Sequence, residues 1–303
     1  MMDAVGQRQS RSLAIVIVSL VGGEALKRTL SSIASIDAPR VIIGGSTLPP
    51  GSSAQAGAVK FVCTDLPVPL KRAMGLALTD SEWVAFLEDT CDVGPGWHDA
   101  IQEIAAEGRF VGAGGPVMIA DDLPPRCMAL ACLEYAAFAP RRARPHDVAA
   151  PPAPVVAGRL AGVNLLYRRS AMPALNAATG LIESELNELI QQRGGKLVQH
   201  PNLAVTYREA DLASATLSSR FSHGRIYGGG QRHRSSAPRR AVALVKCLAL
   251  PVVMYARASP AIPRNYSGSW RARAWIAVLS LAWSCGEFAG FLAGRGASLA
   301  RWR

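Results

Sequence analysis

The sequence predicts an α/β fold, a mostly parallel sheet flanked by helices, followed by a C-terminal helical segment associated with a membrane. Three observations carry this. Short apolar, β-branched runs alternate with amphipathic helical stretches, the mark of βαβ units. One such run, Trp83–Leu87, ends abruptly in acids, as strands do at the ligand-binding edge of open α/β sheets. The last 84 residues are both strongly basic and interrupted by long apolar runs.

The elements follow in order. Leu13–Val18 is apolar throughout, the pattern of a strand buried on both faces. Gly22-Gly23 ends it, and Leu26, Leu30 and Ile33 have helical spacing within Glu24–Ile36. Arg40–Ile43 is the second strand, closed by Gly44-Gly45-Ser46. A loop rich in Pro, Gly and Ser (49–57) leads to a third strand, Val59–Cys63, and a helix, Pro69–Leu78. Trp83–Leu87 then runs into Glu88, Asp89 and Asp92. Gly94-Pro95-Gly96 forces a turn, and Trp97–Ala106 reads as a helix. Phe110–Met118 contains a strand and a Gly-Gly-Pro turn. Residues 139–157 form a Pro- and Arg-rich loop whose Arg141, Arg142, Arg144 and His146 face solvent or a phosphate. A strand follows within 158–170, then a helix, Leu181–Arg193, ended by Gly194-Gly195, and a strand, Lys196–Gln199.

The 303 residues are half apolar, enough for a sizeable core. Net charge is +11, unevenly placed: residues 220–303 hold 13 Arg, one Lys and one acid, a balance of +13, which leaves −2 for the rest. Two partners suit a basic tail, nucleic acid or an anionic membrane. The apolar runs 241–256 and 274–293 favour the membrane, and the arginines lack the interleaved aromatics of a nucleic-acid surface. The 20 residues of 274–293, with Trp275, Trp283 and flanking arginines, match a transmembrane helix; 241–256, broken by Lys246 and Pro251, is short for a span and suits an interfacial position. Six cysteines without paired spacing exclude a zinc or disulfide framework and fit a reducing compartment. The segment Leu13–Leu20 is too short for a signal peptide. No GxGxxG follows the first strand, which disfavours a nicotinamide-dependent oxidoreductase.

The order Phe86-Leu87-Glu88-Asp89, Pro95-Gly96-Trp97, Gly162-Val163-Asn164-Leu165-Leu166-Tyr167-Arg168-Arg169 and Glu183-Ser184-Glu185-Leu186 before Gly194-Gly195 resembles the family 2 glycosyltransferases, from about Leu13 to Arg234. The resemblance implies the GT-A (Rossmann-like) fold over 1–219, with the basic membrane-associated segment as 220–303. It implies transfer of a sugar from a nucleotide-sugar donor to a lipid-linked or polysaccharide acceptor, by an inverting single displacement on the cytoplasmic face of a membrane. A Mg²⁺ or Mn²⁺ ion would be held by Glu88, Asp89 or Asp92, hard oxygen ligands suited to a diphosphate. Donor contacts fall on Ser19, Ser46, Arg72, Glu88, Asp89, Arg225 and Arg232; His223 shares the segment said to close over the diphosphate. Acceptor contacts fall on Asn164 and Trp97. Glu183 takes the general-base position, with Glu185 as the alternative; such a group is needed because a sugar hydroxyl is a poor nucleophile. In-line attack would set Glu183 on the order of 10 Å from the acid pair.

The chain departs from the family pattern at five places. Val18-Ser19-Leu20-Val21 keeps only the hydroxyl of the usual Pro-Thr-Tyr-Asn, no acid ends the second strand at Gly44-Gly45-Ser46, Ala73 follows Arg72 where Asn is usual, Thr90 stands at the second acid, and Tyr207 at a late histidine. These departures keep a second function class open, a GT-A body without catalysis serving as a membrane-bound partner in glycan assembly.

Overall fold

The computed structural model describes residues 12–45, 59–139, 153–176, 178–208 and 216–302. Ser46, the 49–57 loop and the basic residues 141–146 lie outside these. The elements are β1 (Leu13–Val18), α1 (Gly23–Ser32), β2 (Arg40–Gly44), β3 (Val59–Cys63), α2 (Val68–Ala77), β4 (Trp83–Glu88), β5 (Cys91–Val93), α3 (Trp97–Glu107), β6 (Gly112–Gly114), β7 (Val117–Ile119), α4 (Pro125–Tyr135), β8 (Val155–Ala157), β9 (Asn164–Arg168), α5 (Glu183–Gln192), β10 (Leu197–Gln199), β11 (Val205–Tyr207), α6 (Leu217–Arg234), α7 (Ala237–Ala258) and α8 (Ser269–Ala293).

The main sheet has eight strands in the order β3-β2-β1-β4-β9-β6-β10-β8, and a three-stranded sheet, β5-β11-β7, stands beside it. Strands β3, β2, β1 and β4 are parallel, as are β6 and β10; β9 runs antiparallel between β4 and β6, and β8 is an antiparallel edge. The mostly parallel sheet of the sequence reading is therefore present, with β9 reversed at its centre. The continuous apolar runs have a simple cause. Side chains alternate faces along a strand, and both faces are covered. Ile15, Ile17, Trp83, Ala85 and Leu87 enter one apolar cluster with α3, α4 and α8. Val16, Val84 and Phe86 enter the other with Leu186 and Ile190 of α5.

The C-terminal helices pack on one another and, through α8, on α4. Helix α6 crosses α8 at backbone contact along two glycine seams. A Cβ on Gly224 would lie 2.1 Å from the Trp283 carbonyl oxygen, and one on Gly228 2.3 Å from that of Glu287. In return, Cβ atoms on Gly286 and Gly290 would meet the carbonyl oxygens of Phe221 and Arg225 at 2.0 and 2.4 Å. Glycines four apart lie on one helix face, and only their missing side chains allow this approach. Helix α8 also packs on α4, with Arg126 over the Trp275 ring at 5.0 Å. Helix α7 continues through Lys246 and Pro251. Both α7 and α8 are long and apolar enough to cross a membrane.

Candidate active site

Glu88 closes β4 at its carboxyl end, beside Val18, the last residue of β1. Helix α2 brings Arg72 over this edge. A Cβ on Gly75 would lie 2.2 Å from Val16 Cγ1, so glycine lets α2 sit close on the sheet, and Arg72 projects three residues earlier on the same face. The start of α5 is tied to the start of α2: Leu181 N donates to the Pro69 carbonyl at 2.8 Å, after Gly180 with φ 68°. Glu183, the first residue of α5, thereby reaches the same place.

The three side chains form one bridge. Arg72 Nη2 donates to Glu88 Oε1 at 2.7 Å and to the Gly162 carbonyl at 3.0 Å; Nη1 donates to Glu183 Oε2 at 2.8 Å. The Arg72 side chain is 2% exposed, and its Nε has no hydrogen-bond partner among the described residues. A Cβ on Gly162 would sit 3.2 Å from Arg72 Nη2 and 3.4 Å from Glu183 Oε1, so a larger residue would crowd the bridge. Burial opposes the charge of Arg72, but Glu183 and Glu88 outweigh it and hold the guanidinium above its ordinary value. Burial pushes the Glu88 carboxyl up, with Arg72 opposing. Glu88 and Glu183 share a single guanidinium, closer together than the roughly 10 Å that an in-line geometry suggests.

Other expected site residues are placed differently. Asp89 is fully buried and faces the β1–α1 loop, where its two oxygens accept from Ser19 Oγ (2.7 Å), Leu20 N (2.8 Å), Val21 N (3.2 Å) and Gly22 N (2.7 Å). Ser19 is buried in this bond and not open to a donor. Asp92 pairs with Arg208 at 3.0 Å and Arg28 at 4.0 Å. It borders a separate cavity of about 770 Å³ lined by Gly22, Arg28, Thr90, Asp92 and Arg208 among others. Trp97 and Asn164 are buried and bonded to each other, Trp97 Nε1 donating to Asn164 Oδ1 at 3.1 Å, so neither presents a surface to an acceptor. Glu185 turns from Glu183 towards the tail, pairing with Arg295 and, at 3.6 Å, Arg234. Arg225 Nε caps the end of α8 through the Gly294 carbonyl at 3.0 Å, and Arg232 lies beside Gly294. These two arginines, seven residues apart, share the helix face that meets the end of α8.

Another face of α6 carries Arg220 and His223, three residues apart. Arg220 is buried, pairs with Glu134 of α4 and lies over the Trp283 ring at 4.5 Å. The His223 ring stacks on Trp302 at 5.1 Å, and the Trp302 carbonyl accepts from Val68 N at the start of α2. Burial pushes the His223 imidazole down to about 4. Its folded pKa lies below its ordinary value, so the unfolded chain takes up a proton first as pH falls. The stability this contributes is present above about pH 6.5 and is lost as pH falls from there towards 4. Thermal melting at pH 7 and pH 5 should show a drop in Tm that is smaller in a His223→Gln variant; equal drops would contradict the assignment. The sequence reading named His223 but missed Arg220, Glu134 and Trp302. Only the Pro124-Pro125 helix start marked α4.

The carboxylates do not fit a divalent ion held by the protein. Glu88 is engaged by Arg72, Asp89 by four donors of one loop, and Asp92 by two arginines on another side. Thr90 and Tyr207 stand where a second acid and a histidine are expected. Among the described residues no group of three or more His, Cys, Asp or Glu is placed to hold a metal.

No protein-family model matches the chain, and no curated protein does. Solved structures do resemble it. GalNAc-T7 with UDP, GalNAc and Mn²⁺ aligns over 74% of this chain at 14% identity and a TM-score of 0.51. The alignment covers 51% of that protein, so this chain spans about half its length. The mannosyltransferase PcManGT from Pyrobaculum calidifontis, in complex with GDP-Man and Mn²⁺, aligns over 88% of this chain and 85% of its own, at 12% identity and a TM-score of 0.50. At these identities the likeness is one of fold. The chain has the GT-A fold, an α/β body with a large sheet flanked by helices and two long apolar helices at its C-terminal end.

Proposed function

We propose that this chain is a membrane-associated glycosyltransferase that moves a sugar from a nucleotide-sugar donor to the hydroxyl of a lipid-linked or polysaccharide acceptor. The observation that supports it best is the meeting of Glu88 and Glu183, 95 positions apart in the sequence, on one guanidinium at the carboxyl edge of the sheet. Structural neighbours named with UDP or GDP-Man support a nucleotide-sugar donor. In the reaction Glu183 accepts the acceptor hydroxyl proton, the oxygen bonds the anomeric carbon, and the bond from that carbon to phosphate breaks. The electron pair leaves with the nucleoside diphosphate, and configuration inverts. A thermal-shift screen of UDP- and GDP-sugars tests the reading: one donor should raise Tm and be turned over. A fully paired site that stabilises with no donor would favour the non-catalytic partner.

Attachment to the membrane is supported by the outward faces of α7 and α8. Leu248 and Val252 are 76% and 71% exposed, about 80–140° round the helix from the buried Cys247 and Ala258. At 100° per residue, Arg239, Lys246 and Arg257 fall within about 20° of one another, a basic row beside the exposed Val253 and about 120–180° round the helix from Leu248 and Val252. Leu281 and Leu292 of α8 are also exposed, while Ala272, Ile276, Leu279, Gly286 and Gly290 pack inward along its whole length. The sequence reading favoured 274–293 as a span. A helix packed on α4 and α6 also suits a position lying on the bilayer surface. A Leu248→Asp/Val252→Asp variant should leave anionic vesicles on flotation with its Tm unchanged. Continued flotation would contradict this attachment. Free cysteines and the positive tail support the cytoplasmic side.

A further inference from the structure

We propose that the positive charge facing the donor's diphosphate is the Arg72 guanidinium, in place of a divalent ion such as the Mn²⁺ named with the two structural neighbours. The inference rests on the glycosyltransferase reading above.

Four observations carry it. Every acid near the end of β4 already has fixed partners, and those of Asp89 and Asp92 draw them away from Glu88. Arg72 lies directly on Glu88, the one acid left at the strand end. Its side chain is buried and fixed by three bonds, with Nε free of any partner among the described residues. Glycine at 162, where a Cβ would press on Arg72 Nη2 at 3.2 Å, lets the guanidinium lie against this backbone and holds it in place.

A guanidinium suits the task. It stays charged, and its planar fork of donors matches two phosphate oxygens. The bridge also supplies an exchange. When a diphosphate enters, Nη1 leaves Glu183 for a phosphate oxygen, so one charge-assisted hydrogen bond replaces another. Glu183 is then free to take the acceptor proton, and it becomes free only with a donor in place. The same guanidinium faces the charge that grows on the leaving diphosphate as the bond to the anomeric carbon breaks.

The test is calorimetric titration of UDP and of GDP into the full-length protein in detergent, stripped with EDTA and then with Mn²⁺ added. One diphosphate is expected to bind with a Kd that changes by less than about threefold between the two buffers. Arg72→Lys should weaken it about tenfold and Arg72→Met about a hundredfold or more, with thermal melting confirming the fold. Where Arg72→Met does not fold, the EDTA comparison and Arg72→Lys decide. Binding that requires Mn²⁺, or an Arg72→Met protein that folds and binds as well as the original, overturns the inference. Failure of both diphosphates in both buffers overturns the glycosyltransferase reading itself.

Discussion

A Glu183→Gln variant should lose turnover by about 10²-fold or more while binding its donor as well as the parent protein. Glutamine has the shape of glutamate, and its Oε1 still accepts from Arg72 Nη1, which Glu183 does now at 2.8 Å. What it lacks is basicity. The proton of the acceptor hydroxyl then has no destination, and the effect falls on kcat rather than on donor affinity. Glu185→Gln provides the contrast. Glu185 faces Arg295 and Arg234, so its loss should loosen the tail and lower Tm while turnover changes little. Steady-state rates and donor titrations on both variants check this. An undiminished rate in Glu183→Gln removes it from the chemistry.

The second large effect falls on stability. Asp89→Ala should destabilise the protein by about 3 kcal/mol or more, read as a loss in Tm or in denaturant midpoint. The carboxylate satisfies one hydroxyl and three successive backbone N–H groups, and it is completely buried. Removing it leaves these donors without partners in a place water does not reach, and each such group costs about 1–3 kcal/mol. Asp89→Asn keeps one acceptor oxygen and should fall between. A donor and metal ligand, the role the sequence reading gave Asp89, would instead lose donor binding and metal dependence together in that change. With Asp89 fixing the loop after β1, the effect on the donor comes only through the shape of that loop. A Tm unchanged in Asp89→Ala would show that the loop does not need its anchor.

This contrast shows what was legible in the sequence. Apolar runs with abrupt ends gave β1, β2, β3 and β4, and Glu88 at a carboxyl edge followed from them. The reversal of β9 was not legible, since a strand buried on both faces reads the same in either direction. Helix α6 was hidden by its glycines, which read as a loop but serve its contact with α8. Short strands such as β5 and β11 carry too few residues to show a period. At the site, Glu88, Arg72, Gly162 and Glu183, all named from the sequence, meet in one cluster. It gave no means of telling Asp89 from Glu88. Neighbouring residues on a chain leaving a strand point in opposite directions, one to the ligand edge and the other to the loop beneath. Charge and hydropathy also say nothing of the glycine seams that join α6 to α8 inside the tail, or of the packing of α8 on α4 that meets the body.

The most direct measurement is a structure of the full-length protein with its nucleotide-sugar donor bound, the donor being the one found by thermal shift. The account predicts the diphosphate at the carboxyl end of β4 within hydrogen-bond reach of Arg72, Glu183 released from that guanidinium, and the anomeric carbon between the two. A donor seated instead in the cavity beside Arg28, Asp92 and Arg208, with the Arg72 bridge to Glu88 and Glu183 intact, would contradict it.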